Sequence, residues 1–338
     1  MKILFFSYAF YPHIGGIEVN SEILANQFVT QGSSVKLVTL TKEPGNKSFN
    51  FDVIREPSLK QLFQLYKWTD VVYENNPTLS LSWPNIIFKK PRVVAVRTWI
   101  RRTSGKKTIT DFIKRFWVNK ANKTIAISNA IKNESCNEAV VIGNPYRSNI
   151  FKVISDTSLI TKDFIFIGRL VSDKGVDMCI QLIDNLKQNK QNFRLSIVGD
   201  GPEKNPLKKM VSDLELDASV KFLGFLEGEK LVQTIQKHQF FLVPSRWEEP
   251  FGNVALEGMA CGCIPIVSDG GGLPDAVGNA GVIFERNNLK DLVNKTVALL
   301  GNEPKQIELK NKAKQHLANH TEERIGKRYY AVIKKALE

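Results

Sequence analysis

Four residues in the C-terminal half outline a chemistry before any fold is considered. Glu249 and Glu257 form an E-x7-E pair around a Phe-Gly turn, within PSRWEEPFGNVALEGMACGCIPIVSDGGGLPD at residues 244–275. Upstream, Arg169 and Lys174 form an R-x4-K pair in FIGRLVSDKG. Two carboxylates so spaced can each accept hydrogen bonds from hydroxyls of one extended ligand. An arginine fork and a mobile lysine charge can hold a diphosphate from two sides.

These residues need elements to position them, and the surrounding pattern supplies such elements. The apolar run QFFLV at 239–243 reads as a buried strand, and NVALEGMACG reads as a helix with a glycine C-cap at Gly262. The order is therefore strand, tight turn, helix start. The first-turn N–H groups, from Phe251 and Gly252 to Asn253 and Val254, point out of the sheet edge, where they attract anions and sugar oxygens. Arg169 follows a second apolar run, and Lys174 stands just before the next helix. Near the N-terminus, YPHIGGIE places Gly15 and Gly16 after the first strand, where backbone N–H groups can approach a phosphate and open a helix. The third glycine of G-x-G-x-x-G is missing, so this is no dinucleotide fingerprint. VGDGP at 198–202 and FLGFL at 222–226 are two further turn-rich loops.

Along the whole chain, β-rich runs alternate with amphipathic stretches. Strands are expected at 3–8, 35–40, 53–55, 71–73, 93–97, 124–127 and 140–142, then at 164–168, 195–199, 220–223, 240–244, 264–268 and 281–284. Alternation of this kind implies parallel sheets covered by helices on both faces. The fold class is α/β, with two Rossmann-like domains: 1–150 for the acceptor, 151–318 for the donor, and a closing helix within 319–338. Ligands of such sheets bind outside the carboxyl ends of the strands. Two sheets facing one another would make a cleft there.

The E-x7-E pair, with PFG inside it and GGLPD after it, resembles the signature of glycosyltransferase family 4, the retaining group 1 enzymes of the GT-B fold. The resemblance implies a nucleotide-sugar donor, UDP-linked, and a lipid-linked or cell-envelope glycan acceptor. It places Arg169 and Lys174 on the leaving diphosphate, Glu249 on the donor sugar and Glu257 on the ribose hydroxyls. The N–H groups of 251–254 would hold sugar hydroxyls and phosphate, and the Gly15–Gly16 loop would contact the diphosphate or the sugar. FLGFL would line the nucleobase, and the C-terminal helix would cross back to the first domain. No cofactor is expected, and no metal either: no D-x-D stands at a strand end, so the two cations replace it. One departure stands out. The family often has a histidine where VVAVRT has Arg97, which could contact the sugar, or a carboxylate or phosphate of the acceptor. Glu248 and Glu249 have no obvious cation nearby in sequence, which argues against a purely structural ion pair at Glu249.

The 338 residues are 43% apolar and 24% charged, ordinary for a globular chain, with a net charge of +13. That charge is uneven. Residues 1–150 hold 21 Lys and Arg against 10 Asp and Glu, and positions 89–123 hold twelve basic residues against Asp111 alone. Such asymmetry points to an anionic partner. Within it, Phe112, Ile113, Phe116 and Trp117 fall on one helical stripe, flanked by Arg101, Arg102, Lys106 and Lys107. Such a helix suits an anionic membrane surface; the alternative is a stripe packed in the core with a solvated charged face. No run of eighteen apolar residues occurs, and the N-terminus suits a first strand better than a signal peptide. Four cysteines show no disulfide framework, which fits a reducing cytoplasm; with the basic stretch this places the expected attachment at the inner membrane face. Other classes remain: a GT-B epimerase or phosphorylase, which would need differently placed acids and histidines, or a basic nucleic-acid-binding protein, which would leave E-x7-E beside R-x4-K unexplained.

Overall fold

The computed structural model describes residues 1–13, 15–101, 108–136, 138–153 and 161–338. Two compact units emerge, one of Met1–Pro145 with Glu322–Glu338 and the other of Tyr146–Thr321. The chain thus passes between units at Pro145 and returns after Thr321. The first unit carries β1 (Lys2–Phe6), β2 (Ser34–Thr39), β3 (Asp52–Arg55), β4 (Val71–Asn75), β5 (Arg92–Val96), β6 (Lys123–Ala126) and β7 (Val140–Val141). They form one sheet in the order β3-β2-β1-β4-β5-β6-β7, with every pairing parallel. The second carries β8 (Thr161–Ile167), β9 (Leu195–Val198), β10 (Val220–Gly224), β11 (His238–Val243), β12 (Ile264–Ser268) and β13 (Val282–Phe284). Their order is β10-β9-β8-β11-β12-β13, again all parallel.

The physical reason is burial on both faces. In β1 the side chains of Ile3 and Phe5 enter one core with Phe28, Tyr73, Ile325 and Tyr329. Leu4 and Phe6 enter another with Leu62, Tyr66 and Leu81. A strand whose two faces are both covered reads as a continuous apolar run, as KILFF does. The helix Glu322–Lys334 belongs to the first core, burying Ile325, Gly326, Tyr329, Val332 and Ile333. Each such large apolar side chain contributes about 1.5–3 kcal/mol when fully buried. The second unit is built alike, with Phe164, Phe166, Phe240, Leu242, Ile264 and Ile266 in one core.

In both sheets the strand order reverses beside the first strand, between β1 and β4 and between β8 and β11. Connections on either side of such a reversal leave the sheet in opposite directions and open a crevice at the carboxyl ends. The Gly15–Gly16 loop follows β1. The loops bearing Arg169–Lys174 and Ser245–Glu249 follow β8 and β11.

Candidate active site

The site is assembled at the strand reversal of the second unit. After β8, Leu170 is buried and its N–H donates to the Asp200 carbonyl at 2.9 Å, which leaves the preceding Arg169 exposed. Among the described residues the Arg169 side chain makes no ion pair. A 3-10 turn at Ser172–Lys174 follows, closed by Gly175 with φ +66°. A Cβ there would lie 2.2 Å from the Pro244 carbonyl oxygen, so only glycine lets this turn lie against the end of β11. The Asp173 carbonyl accepts from the N–H groups of Arg246 and Trp247 at 2.7 and 3.2 Å. The Arg246 guanidinium grips both oxygens of Asp177 at 2.7 and 2.6 Å. These contacts fasten the Lys174 turn to the Glu249 loop.

The result is a contact absent from any local pattern: Lys174 Nζ pairs with Glu249 Oε1, both side chains largely shielded from solvent. Ser245 Oγ donates to the same oxygen at 2.8 Å, and Lys174 Nζ also stands 5.9 Å from the centre of the Trp247 ring. Neither Glu248 nor Glu249 lacks a cation, contrary to the expectation from sequence. Glu248 pairs with Arg286 at 3.2 Å and Glu249 with Lys174; both partners come from distant segments, beyond the reach of a local reading.

The GGGLPD segment supports the same loop. Glu249 and Gly271 form a parallel bridge, and the Gly272 N–H donates to the Glu249 carbonyl at 2.6 Å. Gly271 has φ +65°, and a Cβ on it would approach the Glu249 carbonyl oxygen to 2.2 Å. The helix Asn253–Ala260 then opens at Gly252 without a side-chain cap. Phe251 is buried, its ring 5.8 Å from that of His320. On this helix Glu257 is half-buried; burial raises its carboxyl to about 7, against the opposing positive charge of Arg147. Arg147, Arg246 and Asp177 were not among the sequence candidates. A serine or arginine inside a turn gives no sign of its partner until the chain is folded.

The first unit treats its candidates differently. Gly15 caps the helix Gly16–Thr30 through its backbone alone, and the Glu18 carboxylate lies against it: a Cβ on Gly15 would meet Glu18 Oε2 at 2.5 Å. Arg97 corrects an expectation. Rather than facing a sugar or acceptor, its side chain is 3% exposed. It donates to Asn75 Oδ1 at 2.6 Å, to Asn144 Oδ1 at 2.7 Å and to the Tyr73 hydroxyl at 3.4 Å, and its guanidinium lies 4.9 Å from the Tyr329 ring centre. Asn75 in turn donates to Ser21 Oγ at 2.6 Å and to the Ile17 carbonyl at 3.3 Å. Arg97 therefore braces the helix that begins at Gly16.

Trp117 requires a second correction. It is half-buried, donates to Ser82 Oγ at 2.9 Å and carries the Arg92 guanidinium 4.2 Å from its ring centre. The rest of its helix, Ile109–Asn119, leaves Ile109, Phe112, Ile113 and Phe116 exposed. The stripe thus faces solvent, with Trp117 as its anchor. Arg101 is exposed, 4.6 Å from the Trp99 ring centre, whereas Arg102, Lys106 and Lys107 lie outside the described residues. Among the described residues no helix is long and apolar enough to cross a membrane.

Comparison with known proteins follows the same lines. Residues 152–316 match the family described as glycosyl transferases group 1. The chain is 29% identical over 328 residues to an uncharacterized glycosyltransferase of Methanocaldococcus jannaschii, covering 90% of this chain and 89% of that protein. It is 22% identical over 339 residues to the GPI3 subunit of the phosphatidylinositol N-acetylglucosaminyltransferase of Saccharomyces cerevisiae, covering 85% of this chain and 72% of the subunit. The crystal structure of Anabaena HepE in complex with UDP and glucose shares the fold, with a TM-score of 0.77 at 19% identity over 99% of this chain and 100% of that one. The chain is a glycosyltransferase with the two parallel Rossmann-like sheets of the GT-B fold, and its second unit matches the glycosyl transferases group 1 family.

Proposed function

We propose that this enzyme is a retaining glycosyltransferase that moves a sugar from a UDP-linked donor to a lipid-linked or cell-envelope glycan. One observation carries the reading: Lys174 and Glu249 meet at the strand reversal, and the loop that carries Lys174 also carries Arg169, exposed and without an ion pair among the described residues. A cation suited to phosphate and an acid suited to sugar hydroxyls stand next to each other, as a sugar–phosphate ligand requires. Arg169 and Lys174 hold the diphosphate and stabilise the charge that grows on it as the bond from the anomeric carbon to phosphate oxygen breaks. The acceptor oxygen attacks the anomeric carbon from the same face, and its proton passes to the leaving phosphate. Glu249 accepts from the donor sugar, Glu257 from the ribose, and the backbone of 251–254 adds further donors. In this reading the two cations take the place of a metal ion. Support for UDP comes from HepE, solved with UDP and glucose, and support for a lipid acceptor from the phosphatidylinositol enzyme.

The acceptor side is the first unit. Its exposed Ile109, Phe112, Ile113 and Phe116 and its basic stretch suit attachment to the inner face of an anionic membrane. The epimerase reading gains nothing from two of the four histidines: His238 bonds the Thr234 carbonyl and Ser196 Oγ, each at 2.8 Å, and His316 bonds the Ala276 carbonyl at 2.8 Å. A thermal-shift panel of nucleotides, followed by turnover with the donor it selects in the presence of EDTA, tests the proposal. UDP should raise the melting temperature, and turnover should survive EDTA. A rate restored only by Mg²⁺ or Mn²⁺ removes the metal-free mechanism, and a panel without response removes the nucleotide sugar.

A further inference from the structure

We propose that Ser245 is a positioning residue for sugar transfer, acting through Glu249; this rests on the donor-sugar role given to Glu249 above. Ser245 is 1% exposed and sits where β11 ends, with its carbonyl accepting from the buried Ser268 hydroxyl at 2.7 Å. Its backbone is thereby fixed, and its hydroxyl donates to Glu249 Oε1 at 2.8 Å. Lys174 Nζ takes the same oxygen. A carboxylate with both donors on Oε1 cannot rotate without losing two charge-assisted hydrogen bonds. Oε2 has no partner among the described residues and is left to accept from a ligand hydroxyl.

The arrangement also separates two jobs that would otherwise compete. Lys174 must serve a phosphate, and Glu249 must serve a sugar. If Lys174 alone held the carboxylate, its movement toward an incoming phosphate would free Glu249 to turn. Ser245 keeps the carboxylate aimed while Lys174 is drawn to the diphosphate. The predicted consequence is loss of turnover without loss of nucleotide affinity, because the Ser245 hydroxyl bonds Glu249, the acid assigned to the sugar, and not Arg169 or Lys174.

The test is a double-mutant cycle of Ser245→Ala and Glu249→Gln, with UDP-glucose as the first probe, turnover read as released UDP, and UDP affinity measured by calorimetry. Ser245→Ala should lower kcat/KM about 10- to 100-fold, the range for a hydrogen bond to a charged group. UDP affinity should stay within twofold. In the Glu249→Gln background the same change should cost less than threefold, since the carboxylate it orients is gone. Ser245→Thr, which keeps the hydroxyl, should recover most of the loss. Additive losses in the cycle, or weakened UDP binding in Ser245→Ala, overturn the inference. A Glu249→Gln variant with wild-type turnover overturns instead the role of Glu249 on which it rests. For any probe that does not turn over, crystal structures with UDP bound decide: a Glu249 side chain placed in Ser245→Ala as in wild type refutes the positioning role, and a rotated one supports it.

Discussion

The two carboxyl sheet edges have the same topology and opposite chemistry. In the first unit, the polar groups at the edge are consumed internally: Arg97 is locked to Asn75, Asn144 and Tyr73, and Asn75 holds the helix at Ile17 and Ser21. In the second, Arg169 is exposed, Lys174 and Glu249 are largely but not fully shielded, and Glu257 is half-buried with a raised carboxyl. One fold can therefore carry a buried brace or an open site, and side-chain partners decide which. Arginine marks both edges, so residue type alone does not reveal function. A buried guanidinium held by neighbours of its own unit braces; an exposed one with no ion pair among the described residues is available to an anion.

Substitutions at the open edge should have the largest effects. Arg169→Ala and Lys174→Ala should melt near the wild-type temperature and lose turnover about 10²–10³-fold, equivalent to about 3–4 kcal/mol of transition-state stabilisation. Donor turnover within threefold of wild type in either variant would remove the contrast at its source.

Arg97→Leu should do the reverse. It leaves Asn75 and Asn144 oxygens without their donor in a buried place, at a cost of about 2–4 kcal/mol of stability. Denaturant unfolding checks the loss, and calorimetry should show UDP affinity unchanged within twofold. A variant as stable as wild type but unable to use its acceptor would restore Arg97 to the acceptor site.

A smaller and pH-dependent effect belongs to Glu257. Its carboxyl titrates near 7 in the folded chain and about 4.5 when unfolded. The folded state therefore keeps a proton that the unfolded state has lost between these values. Stability contributed by this group is full below about pH 4.5 and falls as pH rises to about 7, by at most about 3 kcal/mol. Glu257→Gln should lack this slope, so its stability relative to wild type should increase from pH 5 to pH 8. Parallel unfolding profiles over that range would contradict the raised value. In the proposed role, UDP affinity should also be weaker in Glu257→Gln than in Glu249→Gln.

The smallest change expected is at the membrane. Replacing Phe112 and Phe116 by Ser should reduce flotation with anionic vesicles several-fold, as should Gln at Arg101, Arg102, Lys106 and Lys107, each charge contributing at most about 1 kcal/mol. Release of UDP from the donor should be unaffected in both. Equal flotation of wild type and both variants would instead assign the basic face to a soluble anionic acceptor. Trp117→Phe should leave flotation unchanged while lowering the melting temperature, because the Ser82 bond and much of the Arg92 contact are lost.

Much of this was legible without coordinates, for a definite reason. A strand of a parallel sheet is buried on both faces, so KILFF or QFFLV declares itself by composition alone. Turn glycines such as Gly271 are equally local, because a positive φ is a property of the residue. The alternation of such runs with helices determined the fold class, and E-x7-E beside R-x4-K determined which residues to suspect. Partnership was decided only in three dimensions. Lys174 and Glu249 are 75 residues apart in sequence and meet because β8 and β11 are neighbours in the sheet. The stripe at Phe112–Trp117 has one periodicity for a buried and an exposed face, and only packing against Ser82 and Arg92 turned Trp117 inward. Arg97 and Arg169 both follow strands, yet one is enclosed by its own unit and the other is not. Local chemistry is written in the chain; whether a charged group is satisfied depends on what the rest of the fold brings to it.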